Sequence, residues 1–300
     1  MNMINKNKKV LIIGGSGFLG SNISKILIKR NYIVTIFDKK RSKYLDKKNK
    51  VIISNLKNKE KLTRAIKNSD IVYHFAGIAD IGDAMQNPLK TCEINIMSTI
   101  SILNLCVKYK IKRFVFASSI YVHSDQGGFY RISKQASELF IEEFNKRYSL
   151  NYTILRYGTV YGPKADKRNN LTKIVSDALK YKKLNYSGGT SKAIRRYIEV
   201  SDAAKASCEI LNKKYENKDI LISGKKNIKI TKIMDLLSKI LKIKSKPTYQ
   251  KITKYGHYNV TPYTYKKRPE LKFYPKESVT IKEGLISVIK ELSKKQPLKN

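Results

Sequence analysis

Tryptophan is absent from this 300-residue sequence, and cysteine and histidine occur only three times each. Cys92, Cys106 and Cys208 lie far apart, without the close spacing of metal ligands, so we expect reduced core thiols and no metal site. No apolar run approaches the roughly 20 residues that a membrane span needs, and the polar residues 1–9 lack the features of a signal peptide. These absences predict a cytoplasmic protein that does not associate with a membrane.

Acidic residues are also scarce, with 23 Asp and Glu against 62 Lys and Arg, for a formal net charge of +39. A charge of this size attracts polyanions such as RNA. The lysines are nevertheless spread along the whole chain, and Asn, Ile and Tyr are abundant, which favours a compositional bias over a dedicated nucleic-acid surface. We therefore expect no specific nucleic-acid partner, although an anionic nucleotide substrate could use part of the charge.

Short apolar runs alternate with amphipathic segments through the first half of the chain. The predicted strands cover residues 10–13, 32–37, 51–54, 71–75, 113–117 and 152–156, and the predicted helices cover residues 18–30, 60–67, 92–108 and 130–148. Repeated β-α units of this length predict an α/β protein with a doubly wound parallel sheet, which is the Rossmann fold.

The pattern changes after residue 163, where scattered helices and short strands replace the regular alternation. This change predicts a smaller C-terminal α+β substrate lobe. We therefore expect an NAD(P)-binding Rossmann domain in residues 1–163 and a mainly substrate-binding lobe in residues 164–300. Some segments of the lobe, such as the apolar run 220–222, are expected to return to the main sheet.

Two of the predicted helices carry enough apolar residues to define a buried face. The expected core residues of helix 92–108 are Cys92, Ile96, Ile100, Leu103 and Val107, and those of helix 130–148 are Ala136, Leu139, Phe140 and Phe144. Helix 92–108 also carries a second apolar set, formed by Ile94, Met97, Ile102 and Leu105. Two apolar faces indicate two packing partners, so we expect a homodimer; the alternative is a helix buried on both faces within one chain.

Glycines punctuate the segment that follows the first predicted strand and opens the first helix. Gly14, Gly17 and Gly20 would let the backbone turn sharply and approach a pyrophosphate without an intervening Cβ. Phe18 and Leu19 begin the helix, whose N-terminal N–H groups and dipole would face the phosphates. In this strand–turn–helix setting the pattern predicts a dinucleotide-binding loop.

Asp38 ends the second predicted strand, 18 residues after Gly20. A carboxylate there can accept hydrogen bonds from the adenosine ribose hydroxyls and would repel a 2′-phosphate, which favours NAD over NADP. Three neighbouring cations keep NADP open as an alternative: Lys39, Lys40 and Arg41. After the fourth strand come residues that allow the backbone to run beside the cofactor, namely Phe75, Ala76 and Gly77.

Tyr130 and Lys134 are four residues apart, which places them on one face of a predicted helix. A phenol with an ordinary pKa of about 10 is a poor base at neutral pH. A nearby ammonium and the positive nicotinamide would favour the phenolate, and Lys134 could also hold the nicotinamide ribose. Ser119 ends the fifth predicted strand, where its hydroxyl could bond a substrate oxygen. Together the three residues predict acid–base catalysis.

The order of these motifs resembles that of the extended short-chain dehydrogenase/reductase family, the NAD-dependent epimerase/dehydratases that include UDP-glucose 4-epimerase. The matching pieces span most of the chain and comprise residues 14–20, Asp38, residues 74–77, Asn95, residues 116–119, Tyr130 with Lys134, residues 156–163 and residues 195–202. The resemblance implies that Tyr130 is the catalytic acid/base, Lys134 its electrostatic partner and Ser119 the ligand of the substrate oxygen.

The same resemblance implies further binding residues. Those on the cofactor side are Asn55, Leu56 and Tyr157, with Asn55 at a position where the family often has an Asp that touches adenine. Those on the substrate side are Asn169, Asn170, Arg195 and Arg268, with the two arginines at the nucleotide diphosphate. A nucleotide sugar is therefore the expected substrate.

Two departures from the family pattern bear on the substrate. Only 11 positions separate Ser119 from Tyr130, whereas many sugar-modifying relatives carry a longer insertion there, so we expect a more open site. Ser119 also lacks the neighbouring acidic pair that is typical of the 4,6-dehydratases, which disfavours a dehydratase. His123 is expected to be a loop residue rather than a ligand. His257 is expected in a solvated loop, with a substrate contact as the alternative.

The sequence thus predicts an NAD-dependent nucleotide-sugar epimerase or oxidoreductase that acts on a sugar hydroxyl by hydride transfer to the nicotinamide. An epimerase returns the hydride to the other face of the sugar, while a reductase or oxidase exchanges its cofactor, and both use the same residues. We expect a role in surface-polysaccharide or cell-envelope sugar biosynthesis. The alternative from another class is a non-catalytic nucleotide- or RNA-binding scaffold of the same fold, which would have no need to keep the three catalytic side chains.

Overall fold

An eight-stranded sheet organises the protein, which a computed structural model describes over residues 7–47, 49–251, 256–262 and 271–295. The strands are β1 (Lys9–Ile13), β2 (Ile33–Asp38), β3 (Lys50–Ile53), β4 (Ile71–His74), β5 (Arg113–Ser119), β6 (Tyr152–Tyr157), β7 (Thr159–Tyr161), β8 (Asn185–Tyr186), β9 (Ile194–Arg195), β10 (Tyr197–Glu199), β11 (Lys218–Ile222), β12 (Ile228–Lys229), β13 (Thr248–Tyr249) and β14 (Leu271–Phe273). Arg268, expected at the diphosphate, lies outside the described residues.

Helices connect most of these strands. They are α1 (Phe18–Lys29), α2 (Lys59–Lys67), α3 (Ile81–Gln86), α4 (Pro88–Thr91), α5 (Ser98–Lys108), α6 (Gly128–Tyr148), α7 (Asn170–Tyr181), α8 (Val200–Glu209), α9 (Ile230–Ile240) and α10 (Ile281–Lys295). A π-helical turn, Cys92–Met97, lies directly before α5, and 3₁₀ turns cover Ile120–His123 and Lys213–Tyr215. In the described part of the chain, none of the helices has the length and apolar character needed to cross a bilayer.

The strand order of the main sheet is β3-β2-β1-β4-β5-β6-β11-β14, and every neighbouring pair is parallel. This order confirms the predicted doubly wound parallel sheet. The direction of winding reverses between β1 and β4, and a crevice opens at the carboxyl ends of the strands at such a point. The glycine loop after β1, residues 75–77 after β4 and Ser119 at the end of β5 therefore share one edge of the sheet.

Alternate residues of β1 face opposite sides of the sheet and belong to two separate cores. Val10 and Ile12 pack with residues of α1 and α8, whereas Leu11 and Ile13 pack with residues of α2, α5 and α6. All four side chains are buried. Helices therefore cover both faces, as a parallel sheet with continuous apolar strands requires.

The second half of the chain contributes to the main sheet and also forms a smaller α+β lobe. β11 and β14 extend the sheet beyond β6, and α8 packs with α1 on one of its faces. A third apolar core lies between α7, α9 and α10, and it includes Tyr161, Tyr186 and Tyr197 from short strands. Those strands form the pairs β10-β7, β12-β9 and β13-β8.

The buried face of the segment 92–108 differs from the predicted one. Cys92 is exposed rather than in the core, while Ile102, assigned to the second apolar set, is fully buried. Of that set, Met97 is 54% exposed and the other two members are partly buried. A π-helical turn closes i→i+5 hydrogen bonds and therefore rotates the residues on either side of it relative to each other. Leu103 is nevertheless buried and Ile100 and Val107 pack against the same core, as predicted. The constant 3.6-residue period therefore fails mainly at Cys92, inside the π-helical turn.

Helix α6 buries a polar face where an apolar one was predicted. Leu139 and Phe140 are exposed by 49% and 40%, although Phe144 is buried as predicted. The residues that face inward around Phe144 are largely polar and include Ser133, Ser137 and Glu138. Each has a hydrogen-bond partner, which removes most of the cost of burying a polar group. The apolar pattern therefore marks the outer side of this helix.

A buried ion cluster fastens α6 to the sheet. Arg156 of β6 pairs with Glu138 of α6 and with Asp219 of β11, each at 2.7 Å. Ser118 of β5 donates a hydrogen bond to Glu138 at 2.5 Å. Burial raises the pKa of Glu138, and the Arg156 guanidinium opposes that rise. The cluster therefore joins four elements directly beneath Ser119, and the arginine compensates two buried carboxylates.

Replacement of Arg156 with Met should destabilise the protein strongly. The two buried carboxylates would lose their cation, and breaking a buried ion pair from one side costs about 3–5 kcal/mol. The measurement is the free energy of unfolding in urea at neutral pH. The control is Arg147→Met, which removes the exposed pair between Arg147 and Glu143 and should leave the free energy unchanged within error. Equal losses in the two variants would contradict this account of the cluster.

Candidate functional site

The glycine loop packs so closely that two of its positions exclude any side chain. Gly14 adopts a φ of 83°, and a Cβ there would lie 2.8 Å from Ala76 Cα, in the loop after β4. A Cβ on Gly20 would lie 2.6 Å from Gly15 Cα. Both distances are shorter than van der Waals contact permits. Glycine at these positions therefore brings the first turn of α1 against the ends of β1 and β4.

The N-terminus of α1 has the features of an anion-binding site. Gly17 is the N-cap residue and offers no side-chain hydrogen bond, so the first N–H groups, including those of Phe18 and Leu19, lack side-chain acceptors. Ser16 Oγ is shielded from solvent and has no hydrogen-bond partner within the described ranges. Such a group fits a pyrophosphate, which accepts hydrogen bonds from N–H groups and hydroxyls. Ser16 is not among the binding residues predicted from the sequence, although it lies inside the glycine motif.

Asp38 ties the glycine loop to the end of β2. One carboxylate oxygen accepts a hydrogen bond from Ser16 N at 2.9 Å and the other from Lys39 N at 2.7 Å. The carboxylate therefore lies beside the loop, where it can meet a ribose as predicted. Arg41 donates instead to the carbonyls of Asp46 and Asn49. It thus holds its own loop, which weakens the NADP alternative.

Asn55 and Leu56 lie at the turn between β3 and α2. Asn55 Oδ1 accepts hydrogen bonds from Lys57 N at 2.9 Å and Asn58 N at 3.2 Å. Leu56 packs partly buried against the core beneath α2. The acceptor of Asn55 therefore already stabilises the turn, which leaves Leu56 as the apolar contact that this segment can offer to adenine.

Residues 75–77 connect the cofactor edge to α6. The N–H groups of Phe75 and Ala76 both donate to Ile13 O, at 2.8 and 3.0 Å. A Cβ on Gly77 would lie 2.9 Å from Asn95 Oδ1. That oxygen accepts from Ile78 N at 2.8 Å, and Asn95 Nδ2 donates to Ser133 Oγ at 2.9 Å. Asn95 therefore couples the loop after β4 to the helix that carries Tyr130.

The structure brings Ser119, Tyr130 and Lys134 together at the carboxyl end of β5. All three are buried, and an interaction with the Ser119 side chain acts to lower the pKa of Tyr130 against the effect of burial. Lys134 Nζ donates to Ala117 O at 2.7 Å and lies 4.7 Å from the ring centroid of Phe116. The ammonium is 6.0 Å from the centroid of the Tyr130 ring. The predicted trio therefore forms one cluster, on the edge that carries the glycine loop.

Burial changes the acidity of these groups in opposite directions. It raises the pKa of Tyr130, and the interaction with Ser119 acts against that rise. It lowers the pKa of Lys134 to about 8, with the Glu138 carboxylate acting in the other direction. Tyr130 therefore needs a nearby positive charge to ionise at neutral pH, and Lys134 still carries one below about pH 8.

Two side chains near the cofactor edge are held by core hydrogen bonds. The hydroxyl of Tyr157 pairs with Ser207 Oγ at 2.6 Å, so only its ring and backbone can reach a ligand. His74 Nε2 lies 3.0 Å from Thr99 Oγ1. Burial and the Lys134 ammonium lower the pKa of His74 to about 3. His74 is therefore neutral and structural.

The structure describes three of the expected substrate residues, all in the second half of the chain. Asn169 caps α7 through Thr172 N at 3.3 Å and also donates to Val160 O at 2.8 Å. Asn170 Oδ1 is shielded and has no partner in the part of the chain that the structure describes. Arg195 is buried, and its guanidinium donates to the carbonyl of Asn259 at 2.6 Å. Asn170 thus offers an uncommitted acceptor, while Arg195 is partly engaged with its own chain.

Four residues beside this cluster were either not singled out from the sequence or were expected only as loop residues. Tyr121 and Tyr258 lie with their ring centroids 4.7 Å apart, and no motif marks either one. His257, expected in a solvated loop, lies with Nδ1 3.0 Å from the Tyr121 hydroxyl. His123, expected to be a loop residue, is buried in the 3₁₀ turn after β5. Only the short spacing between Ser119 and Tyr130 could have hinted that another segment closes this side.

Comparisons with known proteins agree with the motifs. The chain matches the model of the NAD dependent epimerase/dehydratase family over residues 10–223. A Methanocaldococcus jannaschii protein provisionally named UDP-glucose 4-epimerase is 28% identical over 302 residues, which cover 93% of this chain and 97% of the relative. A UDP-N-acetyl-alpha-D-glucosaminuronate decarboxylase of Bacillus cytotoxicus is 26% identical over 94% of this chain and 97% of the relative.

Solved structures share the whole fold. The UDP-glucose 4-epimerase of Thermotoga maritima, crystallised with UDP-glucose, superposes with a TM-score of 0.84 at 23% identity, covering 96% of this chain and 99% of that chain. The UDP-N-acetylglucosamine 4-epimerase of Methanobrevibacter ruminantium gives a TM-score of 0.85 at 24% identity, covering 97% and 100%. The cofactor that the family name specifies is NAD. It fits the glycine loop, the N-terminus of α1 and the Asp38 carboxylate. This chain belongs to the NAD dependent epimerase/dehydratase family, and NAD is its cofactor.

Proposed function

We propose that the protein is a UDP-sugar 4-epimerase. The observation that carries this proposal is the cluster of Ser119, Tyr130 and Lys134 at the edge of the sheet that fits NAD. UDP-sugar epimerases are also prominent among the relatives with high coverage. Ile120 and Tyr121 follow Ser119, where a dehydratase would need acids, and this favours epimerisation over dehydration.

In this proposal Tyr130 moves the proton and Ser119 holds the oxygen. Tyr130 accepts the proton of the sugar 4-hydroxyl, and Lys134 stabilises the phenolate by its positive charge. Ser119 donates a hydrogen bond that keeps the substrate oxygen aligned. When bound, NAD supplies the hydride acceptor and donor. Tyr130 then returns its proton to the oxygen, which completes the inversion without net oxidation.

On the binding side, the glycine loop with Phe18, Leu19 and Ser16 would hold the cofactor phosphates, and Asp38 the adenosine ribose. Asn170 and Arg195 would meet the nucleotide diphosphate or uracil of the substrate, with Asn169 fixing the start of α7. A reductase that exchanges its cofactor would use the same residues, and retention of NAD through purification would favour the epimerase.

We further infer a cytoplasmic enzyme of cell-envelope sugar biosynthesis, since UDP-sugars are the donors for such polymers.

The rival proposal is a non-catalytic scaffold that uses the net charge of +39 to bind RNA. The buried acid–base cluster argues against it, because burying Lys134 and Tyr130 is costly and unnecessary in a scaffold. RNA binding should then be weak, non-specific and lost steeply as salt rises.

Replacement of Tyr130 with Phe tests the epimerase proposal. The ring remains, so NAD and UDP should still bind, while turnover should fall by roughly 10²–10⁴, the usual size of a general acid–base contribution. Interconversion of UDP-glucose and UDP-galactose, and of their N-acetylated forms, is followed by NMR. Tyr181→Phe, at a tyrosine that is 58% exposed on α7, is the matched control. Near-full activity of Tyr130→Phe would show that another group is the base.

Cofactor binding should depend on pH through Lys134. Its pKa is lowered to about 8 by burial, so the charged fraction falls as pH rises through 8. A charge-assisted hydrogen bond is roughly twice as strong as a neutral one, so affinity for NADH should weaken roughly fivefold between pH 7 and pH 9. Fluorescence titration measures this change. Lys134→Met should bind weakly and show no such trend, whereas an equal trend in the variant would rule out Lys134 as its source.

We also infer that the protein is a homodimer. Apolar side chains remain exposed on the outer side of α6 and on the π-helical turn beside it: Phe129, Ile132, Leu139, Phe140, Tyr148 and Met97. An exposed apolar surface of this kind is typically covered by a partner protein. The expected second face of the segment 92–108 thus contributes through Met97, while α6 contributes most of the surface.

Charges placed on this face should separate the subunits. The double variant Leu139→Glu with Phe140→Glu should be monomeric at micromolar concentration, because burying two carboxylates without partners is strongly unfavourable. Light scattering gives the molar mass. Tyr181→Glu adds a charge at an exposed tyrosine elsewhere and should remain dimeric. A wild-type protein that is already monomeric would refute the inferred dimer.

A further inference from the structure

A tyrosine–histidine pair spans the cleft beside the catalytic cluster. Tyr121 lies two residues after Ser119, and its backbone N–H donates to Ser119 Oγ at 3.3 Å. Its ring meets that of Tyr130 edge-on, with centroids 6.1 Å apart. The Tyr121 hydroxyl points away from the sheet to His257 Nδ1, at 3.0 Å. Tyr121 thus contacts Ser119 through its backbone, and Tyr130 and His257 through its side chain.

Glycines at both ends of this pair make its geometry possible. Gly127 adopts a φ of 105°, and a Cβ there would lie 2.8 Å from Tyr121 Cδ1. The short connection from Ser119 to Tyr130 therefore wraps closely around the Tyr121 ring. Gly256 adopts a φ of 79° and packs on Ile81 of α3, which turns the chain so that His257 faces Tyr121. Both turns require glycine, since other residues rarely adopt this backbone conformation.

Arg195 holds the histidine segment in place. Its guanidinium donates to Tyr258 O at 2.5 Å and to Asn259 O at 2.6 Å, and it lies 4.3 Å from the centroid of the Tyr258 ring. Tyr258 in turn packs on Tyr121. The side of the cleft that a longer loop after Ser119 could close is therefore closed by residues 256–259, which are clamped at both ends.

Tyr121 and His257 are chemically suited to form hydrogen bonds with a neutral polar group of a ligand. Burial raises the pKa of Tyr121 well above its usual range, so the hydroxyl remains protonated. A hydroxyl can donate one hydrogen bond and accept others at the same time. When the Tyr121 hydroxyl donates to His257, its oxygen still has lone pairs that can accept a hydrogen bond. Because Ser119 and Tyr130 would hold the reacting hydroxyl, a group next to that hydroxyl is the one within reach.

We propose that Tyr121 and His257 form the specificity wall of the sugar subsite and bind the polar substituent on a carbon adjacent to the reacting C4. This inference rests on the proposed function, since it presumes a UDP-sugar whose C4 meets Tyr130. The substituents concerned are the C6 hydroxymethyl group on one side and the C3 hydroxyl on the other. The C2 substituent is more remote and should not be read by this pair.

Equilibrium binding to the NAD-loaded protein tests the proposal without requiring turnover. Dissociation constants are measured for UDP, UDP-glucose, UDP-xylose, UDP-3-deoxyglucose and UDP-N-acetylglucosamine. UDP-xylose lacks the C6 hydroxymethyl group, UDP-3-deoxyglucose lacks the C3 hydroxyl, and UDP-N-acetylglucosamine differs at C2. The variants are Tyr121→Phe, which keeps the ring, and His257→Phe, with Tyr181→Phe as the control.

Wild-type protein should prefer UDP-glucose over one of the two analogues that lack a group next to C4 by roughly fivefold to tenfold, the range for a hydrogen bond at a shielded site. Both site variants should bring that ratio close to one, and leave affinity for UDP and the ratio between UDP-glucose and UDP-N-acetylglucosamine unchanged. Tyr181→Phe should keep the wild-type ratios.

Two results would overturn the inference in different ways. If the site variants weaken UDP and all sugars alike, or change only the C2 ratio, the pair is a structural connection and the proposed function stands. If wild-type protein binds none of the UDP-sugars, the proposed function itself fails and this inference fails with it.

Discussion

Parallel pairing of the eight strands is the constraint on which the rest of the molecule depends. Because every strand of the sheet runs in the same direction, the segments that follow β1, β4 and β5 emerge at a common edge. The glycine loop, residues 75–77 and Ser119 are distant in sequence and become neighbours only for this reason. Gly14 lies so close to Ala76 that a side chain at position 14 would push the ends of β1 and β4 apart.

The catalytic helix is unusual in what it buries. An amphipathic helix normally places its apolar stripe on the core, but α6 turns Tyr130, Lys134 and Glu138 inward, each one turn after the last. Two of these form the acid–base cluster, and the third anchors the helix through Arg156. The apolar stripe is thereby left on the outside. The same rotation of the helix thus accounts for the buried chemistry and for the exposed surface that we assign to the dimer.

The smaller lobe contributes through a few fixed points rather than a broad interface at the catalytic end. Arg195 engages the carbonyls of residues 258 and 259, and the turn at Gly256 directs His257 to Tyr121. Arginine suits this place because its planar group donates several hydrogen bonds and stacks on an aromatic ring at the same time. The large positive charge of the chain plays no visible part in this arrangement, since the cations nearest to Asp38 are exposed or hold their own loop.

The sequence by itself determined the fold class and singled out the glycine loop and the trio of Ser119, Tyr130 and Lys134, because these depend on local requirements. A tight turn at a pyrophosphate needs glycine, a ribose needs an acceptor at a strand end, and a helix places residues four apart on one face. Only the tertiary structure decided which face of α6 is buried, and that Cys92 is exposed while Ile102 is in the core, because buried polar networks and a π-helical turn both disturb an apolar period of 3.6. It also decided the contact between Tyr121 and His257, which are 136 residues apart. They meet because two glycine turns and the hydrogen bonds of Arg195 bring separate parts of the chain together.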